Sequence, residues 1–290
     1  MKRRLLSMLA ALALGVSALA VGVPAATADN HLGAAYVALG DSEAAGTGNL
    51  PYVDQQCLRS KKAYPMILGS AYGGVESHAC AGDDTSDALV QAMMADLGPA
   101  TQLVTLTVGV NNLDWQGVLS ACSSTGTPEE CLAAQAEVPA ALATIPQGIA
   151  EVLGAVRTRA PNAMIVVTGY PMLFGAVTDS CSVGAFQGTP VKFTAELTVA
   201  VNQGLAAVNQ AIQAGIAAYQ AAFTAQFGFA DPGVMYVDVV AAFAGHGLCD
   251  TGDRWISGLV SGKPVADRGF HANAAGQQAF AAIIADALPG

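Results

Sequence analysis

Ser42 closes the tripeptide Gly40-Asp41-Ser42, directly after the apolar run Ala35-Tyr36-Val37-Ala38-Leu39. A serine at the carboxyl end of a strand, entering a turn or helix, presents its hydroxyl among unpaired backbone N–H groups. Serine alone is a weak nucleophile and needs a base within hydrogen-bond reach. It also needs donors aimed at the oxyanion that develops on an attacked carbonyl. The chain has 4 histidines, so the search for the base is short. His31 lies near the expected mature N-terminus, where order is weakest. His78 falls in an apolar stretch beside Cys80, and His246 in a Gly-rich loop ahead of Cys249. His271 follows Phe270 and stands just before Ala274 to Leu288, which reads as a terminal helix with Asn273 as N-cap. A helix N-terminus disfavours a further positive charge, which helps keep His271 neutral and able to accept a proton. Position favours His271 as the base, with His246 as the alternative.

The elements that must hold these residues are legible as short runs. Besides Ala35–Leu39, the strand candidates are Leu103–Val108, Met164–Thr168, Val234–Val240 and, more weakly, Val75–Ala79. They are continuous rather than alternating and bounded by Gly or Pro, as strands covered on both faces are. Helical patterns lie between them. From Thr194 to Thr224, Leu197, Val201, Leu205, Val208, Ile212, Ile216, Tyr219 and Phe223 recur at steps of three and four, marking one buried face. The alternation predicts a parallel α/β sheet of about five strands between two helical layers. In such sheets sites form at the carboxyl ends of strands. That rule selects Ser42, Gly109-Val110-Asn111 after Leu103–Val108, and Cys80-Ala81-Gly82 after Val75–Ala79.

Lys2, Arg3 and Arg4, the apolar run Leu5 to Val23, and Ala26-Thr27-Ala28 form a signal-peptide pattern, with cleavage expected after Ala28. The expectation is a signal peptide over 1–28 and a single domain over 29–290, with no membrane span after cleavage. The 12 Lys+Arg less those three leave 9 against 22 Asp+Glu, a net charge of −13. Such an acidic chain lacks the basic footprint that nucleic acid requires and suits anionic membranes poorly. Six cysteines, Cys57, Cys80, Cys122, Cys131, Cys181 and Cys249, read as three disulfides in an exported protein. Cys122 and Cys131 are close enough in sequence to staple a local loop. Neither C-x-x-C nor H-E-x-x-H occurs, so no metal and no cofactor is expected. The stretches Cys122–Cys131 and Thr178–Pro190 read as irregular excursions.

Tyr36-Val37-Ala38-Leu39-Gly40-Asp41-Ser42 resembles the first block of the GDSL, or SGNH, hydrolases. Gly82, Gly109-Val110-Asn111 and His271 in Phe270-His271-Ala272-Asn273-Ala274-Ala275-Gly276 match that family's later blocks, in order. The resemblance implies a three-layer α/β/α, flavodoxin-like fold and a serine hydrolase acting on carboxylic esters. It implies Ser42 as nucleophile, His271 as base, and an oxyanion hole of the Ser42 and Gly82 N–H groups with the Asn111 amide. The cysteine layout is similar to that of actinobacterial extracellular lipases and phospholipases, which implies Cys57–Cys80, Cys122–Cys131 and Cys181–Cys249. The absence of G-x-S-x-G from the mature chain argues against the α/β-hydrolase version of this chemistry.

Departures from the family pattern set further expectations. Arg268 stands where Asp often precedes the histidine by three residues, and Asp267 lies one residue further away. Either Asp267 or a backbone carbonyl such as that of Arg268 orients His271, and the carbonyl is favoured. Glu43 occupies a position usually apolar or aromatic, and reads as a solvated side chain or as a carboxylate that raises the pKa of His271. Asn112 replaces a common Asp. Asp83 and Asp84 read as a capped helix start, and Asp250, Asp253 and Arg254 as a solvated loop. Trp115 serves either an acyl pocket or the core. The expected enzyme is a secreted, monomeric esterase or lipase, including phospholipase. A polysaccharide deacetylase of the same fold and a catalytically weak surface-binding protein are the alternatives.

Overall fold

The computed structural model describes residues 32–186, 188–259 and 268–289. The chain enters the sheet with β1 (Tyr36–Gly40) and turns at once into α1 (Ser42–Ala45). A small hairpin, β2 (Tyr52–Asp54) and β3 (Arg59–Ser60), leads to α2 (Tyr64–Leu68) and the edge strand β4 (Glu76–Ser77). Helix α3 (Thr85–Met94) crosses back to β5 (Leu103–Thr107). Then α4 (Trp115–Cys122), α5 (Pro128–Ala136), α6 (Val138–Leu142) and α7 (Ile145–Arg159) precede β6 (Met164–Thr168). The hairpin β7 (Ser180–Phe186) and β8 (Thr189–Thr194) runs into the long α8 (Ala195–Phe227). Strand β9 (Val234–Val237), α9 (Val240–Phe243) and α10 (Ala274–Ala287) follow.

The central five-stranded sheet has the order β4-β1-β5-β6-β9. All its pairings are parallel. Counted within the sheet this is the flavodoxin-like order, whose topological switch point lies beside the first strand. The continuous apolar strands are explained by burial on both faces. Tyr36 and Ala38 pack with Tyr64 and Phe280 on one side, Val37 and Leu39 with Ile149 and Ile212 on the other. Alternate residues of one strand thus serve two cores.

Of the two stretches expected to be irregular, Cys122–Cys131 holds a loop over residues 123–127 flanked by helix, and the other carries regular structure. Cys122 ends α4 and Cys131 sits in α5, which starts with a Thr127–Glu130 capping box. Thr178–Pro190 contains β7 and runs into β8, where Val191 and Phe193 are buried and Lys192 is exposed. This period of two is short and interrupted by glycine, which hid it. Conversely, Val234–Val240 yields only four strand residues, because Asp238 Oδ1 accepts the Val240 N–H at 2.8 Å and opens α9. The three disulfides are Cys57–Cys80, Cys122–Cys131 and Cys181–Cys249.

One buried ion pair fixes α7, α8 and the entry to β9. Arg157 Nε donates to Asp231 Oδ2 at 2.7 Å, Tyr219 Oη donates to the same oxygen at 2.6 Å, and Gly233 N donates to Oδ1 at 2.9 Å. Burial alone would raise the Asp231 pKa, but Tyr219, Arg157 and the Gly233 N–H hold it below its usual value. Asp231→Ala strands Arg157, and urea denaturation should show a loss of about 3 kcal/mol. Because the folded pKa is depressed, the wild-type contribution is complete above the unfolded carboxylate pKa. It is lost as pH falls through the folded one, so the gap between the two proteins should close in acid.

Candidate active site

Gly40, Asp41 and Ser42 form the hinge between β1 and α1. Gly40 has φ 134°, and a Cβ there would lie 2.2 Å from the Thr107 carbonyl oxygen of the neighbouring strand. Only glycine allows that approach. Gln91 clamps the turn from α3, its Oε1 accepting the Gly40 N–H at 2.7 Å and its Nε2 donating to the Gly40 carbonyl at 2.9 Å. Asp41 caps α1 by accepting the Glu43 N–H at 2.9 Å, and its other oxygen accepts from the Tyr170 hydroxyl. Ser42 is thereby fixed as the first residue of α1.

His271 arrives from a separate loop. Phe270 takes φ 67°, and the His271 N–H donates back to the Arg268 carbonyl at 3.3 Å. Asn273 caps α10 through the Ala275 and Gly276 N–H groups. The ring lands with Nε2 2.8 Å from Ser42 Oγ. Its Nδ1 lies 3.0 Å from the Gly269 carbonyl. With the proton on Nδ1 donated to that carbonyl, Nε2 is left to accept from the serine. The carbonyl is Gly269's, one residue on from the expected Arg268. Arg268 instead donates from Nε to the Gly48 carbonyl at 3.0 Å. Asp267 and His31 lie outside the described residues.

Gly82 and Asn111, the two further residues expected as oxyanion donors, follow two other strands of the sheet. Gly82, with φ 93°, follows β4 and stands two residues beyond Cys80, which the disulfide and the Ala81 N–H to Cys57 carbonyl bond (3.1 Å) hold in place. Asn111 follows β5 and donates from Nδ2 to the Asp83 carbonyl at 2.9 Å, which ties the two loops together. Its Oδ1 accepts from Trp115 Nε1 at 2.9 Å. Together the two bonds set which end of the amide is the donor end. Ser42, Glu43, Trp115, Leu173, Phe270 and His271 line a small pocket of about 40 Å³. Through Val110, Trp115, Leu173 and Leu205 it adjoins an apolar cavity of about 320 Å³ between α4, α6 and α8. A second cavity of about 240 Å³ lies on the other side of Trp115, toward Phe193 and Phe270.

The pattern of the GDSL-like Lipase/Acylhydrolase family matches residues 38–279. The chain belongs to this family. A lipase of Streptomyces rimosus is 32% identical over 272 residues, covering 92% of this chain and 89% of its own. Among solved structures, phospholipase A1 from Streptomyces albidoflavus NA297 superposes with TM-score 0.69 at 29% identity, covering 88% of this chain and 100% of that one. An extracellular lipase from Streptomyces rimosus does so with TM-score 0.61 at 30% identity, covering 87% and 99%. The protein is a carboxylic ester hydrolase with the family's α/β fold.

Within this GDSL-like hydrolase, the two other described histidines stand in ordinary surroundings. His78 contacts Glu76 at 2.6 Å, and His246 stacks on Trp255 with ring centroids 3.7 Å apart. Asp84 caps α3 in a capping box with Asp87, as expected. Asn112 bonds Thr85 and Thr144 rather than the site. Trp115 was divided between pocket and core, and it lines all three cavities while bonding Asn111. Glu43 is not solvated: it is 4% exposed. Burial, with the charge of Asp41 adding to it, pushes its pKa up to about 8. Burial likewise pushes Asp41 up to about 7, against the Tyr170 and Glu43 hydrogen bonds that lower it. Residue type alone could not reveal these partners, since Gln91 and Tyr170 are distant in sequence.

Proposed function

We propose that the protein is a secreted lipase or phospholipase in which Ser42 is acylated by an ester substrate with His271 as its base. The observation that carries this reading is the 2.8 Å contact between Ser42 Oγ and His271 Nε2. As Oγ attacks the ester carbonyl carbon, its proton passes to Nε2, and the Gly269 carbonyl accepts the Nδ1–H of the imidazolium. The tetrahedral oxyanion takes hydrogen bonds from the Ser42 and Gly82 N–H groups and the second Nδ2 hydrogen of Asn111. Nε2 then protonates the leaving alcohol oxygen, leaving an acyl ester on Ser42. Water, deprotonated by His271, attacks that ester and releases the acid and the free serine.

The apolar cavity beside the dyad favours an acyl chain longer than acetate, as do the lipases and phospholipase A1 the chain resembles. Three disulfides and an extracellular lipase relative support export, with a signal peptide over 1–28 and one domain over 29–290 acting as a monomer. The test is a serine-directed fluorophosphonate followed by peptide mass analysis, with rates on p-nitrophenyl acetate, butyrate, octanoate and palmitate. The expected result is one label, on Ser42, and a preference for chains beyond acetate. A folded protein that takes no label and turns over none of the esters overturns the hydrolytic role of Ser42. A preference for acetylated polysaccharide would transfer the reading to a deacetylase.

The cavity makes a sharper expectation at Gly204, which lines it in mid-α8 with open space where a Cβ would stand. Gly204→Leu fills that space. Its kcat/KM on palmitate should fall about tenfold or more, the worth of a methylene or two in an apolar pocket, while acetate is spared. The same change should raise stability by up to about 1 kcal/mol through helix propensity. A lower Tm together with uniform loss on all esters would mean that the cavity does not hold the chain.

A further inference from the structure

Glu43 is the residue that the hydrolytic scheme leaves unused, although it lines the same small pocket as Ser42 and His271. A carboxyl group at 4% exposure is costly unless something is gained by it. Its contacts run to the far side of the site. Oε2 accepts the N–H of Ala272, the residue after His271, at 3.4 Å. Oε1 accepts from Gln277 Nε2 at 2.9 Å, and the same Nε2 donates to the Glu43 carbonyl at 3.0 Å. Gln277 belongs to α10 and holds α2 as well, its Oε1 accepting the Tyr64 N–H at 2.7 Å. On its other side, Ala272 is pinned by Asn49 Nδ2, which donates to its carbonyl at 2.9 Å. The loop that presents the histidine is therefore fastened to the turn that presents the serine, and Glu43 sits at the fastening.

We propose that Glu43 is a positioning residue for the hydrolytic pair: its buried carboxyl group ties the nucleophile turn to the His271 loop, and as a carboxylate it favours the imidazolium formed when His271 takes the Ser42 proton. This rests on the assignment of Ser42 and His271. An anion close to a titrating imidazole stabilises its charged form. Both carboxyl oxygens face N–H donors, an arrangement suited to the ionised group. Among the described residues, the titratable groups around it are Asp41 on the same turn, His271 on the loop, Tyr64 on α2 and Tyr170 after β6. Since burial and Asp41 hold the group protonated up to about pH 8, its help arrives as pH rises through that value.

The experiment is the pH profile of kcat and KM on p-nitrophenyl butyrate from pH 5 to 10 for wild type, Glu43→Gln and Glu43→Leu. Ser42→Ala supplies the background. Wild type should show two rising limbs in kcat, one from His271 and a second near pH 8. The second limb is expected to be on the order of tenfold, the equivalent of one unit of imidazolium pKa. Both variants should lose the second limb, with the deficit in kcat rather than KM. In parallel, the His271 ring resonances of the wild type should show a second NMR inflection near pH 8, a readout that does not depend on any variant folding. A second limb that survives in Glu43→Gln, or a wild type with neither second limb nor second inflection, overturns the proposal. Activity that survives in Ser42→Ala would instead overturn the assignment beneath it.

Discussion

Ser42→Ala and His271→Gln should each lower kcat by about 10⁴–10⁶-fold, and the double variant should be scarcely worse than either alone. The reason is the geometry of a unit. Without Nε2 at 2.8 Å the Ser42 hydroxyl keeps its proton, and without Oγ the base has no nucleophile to serve. The activity left over comes from the oxyanion donors and the binding pocket acting on water, about 10³-fold over the uncatalysed rate. Substrate affinity should change little, because neither side chain builds the apolar cavity. Both replacements lie in a buried but small pocket, so circular dichroism and Tm should report folded protein. The decisive comparison is the double variant. If the two losses multiply, Ser42 and His271 act in separate steps, and a common proton transfer between them is wrong.

What the sequence disclosed, and what it withheld, follows the range of each interaction. The strands were legible because burial on both faces writes a continuous apolar run, and Ser42, Gly82 and Asn111 are singled out as candidates because they follow such runs. His271 stood out through its place ahead of a capped helix. The identity of the carbonyl that faces Nδ1 was not legible, since it depends on one torsion. With Phe270 at φ 67°, Gly269 rather than Arg268 turns its oxygen to the ring. Glu43 is ambiguous for a different reason. A glutamate beside the serine reads as solvated or as a charge acting on His271, and only the fold brings Ala272 and Gln277 from more than two hundred residues away to bury it. The hairpin β7–β8 was obscured because its signal is a short alternation, weaker per residue than a helix stripe.

Asn111→Ala should lower kcat by about 10²–10³-fold with little effect on KM, the usual cost of one oxyanion donor. Its partner makes the stronger test. Trp115 holds the Asn111 carbonyl oxygen through Nε1 and, separately, packs edge-on against His271 with ring centroids 6.0 Å apart. Trp115→Phe keeps an aromatic wall but removes the donor. The Asn111 amide then keeps its bond to the Asp83 carbonyl but loses the one at its oxygen, so it turns more readily to present oxygen instead of nitrogen to the developing oxyanion, which repels it. A kcat loss on the order of tenfold is expected, smaller than that of Asn111→Ala because the amide still samples the productive orientation. In the Asn111→Ala background the same substitution should cost almost nothing, since there is no amide left to orient. Trp115→Ala should add a rise in KM for long-chain esters, because it opens the wall shared by both apolar cavities. Equal losses from Trp115→Phe in the two backgrounds would show that the indole acts on His271 or on the acyl chain. Non-additivity would place it behind Asn111, where the indole bond works together with the Asp83 carbonyl to orient the amide.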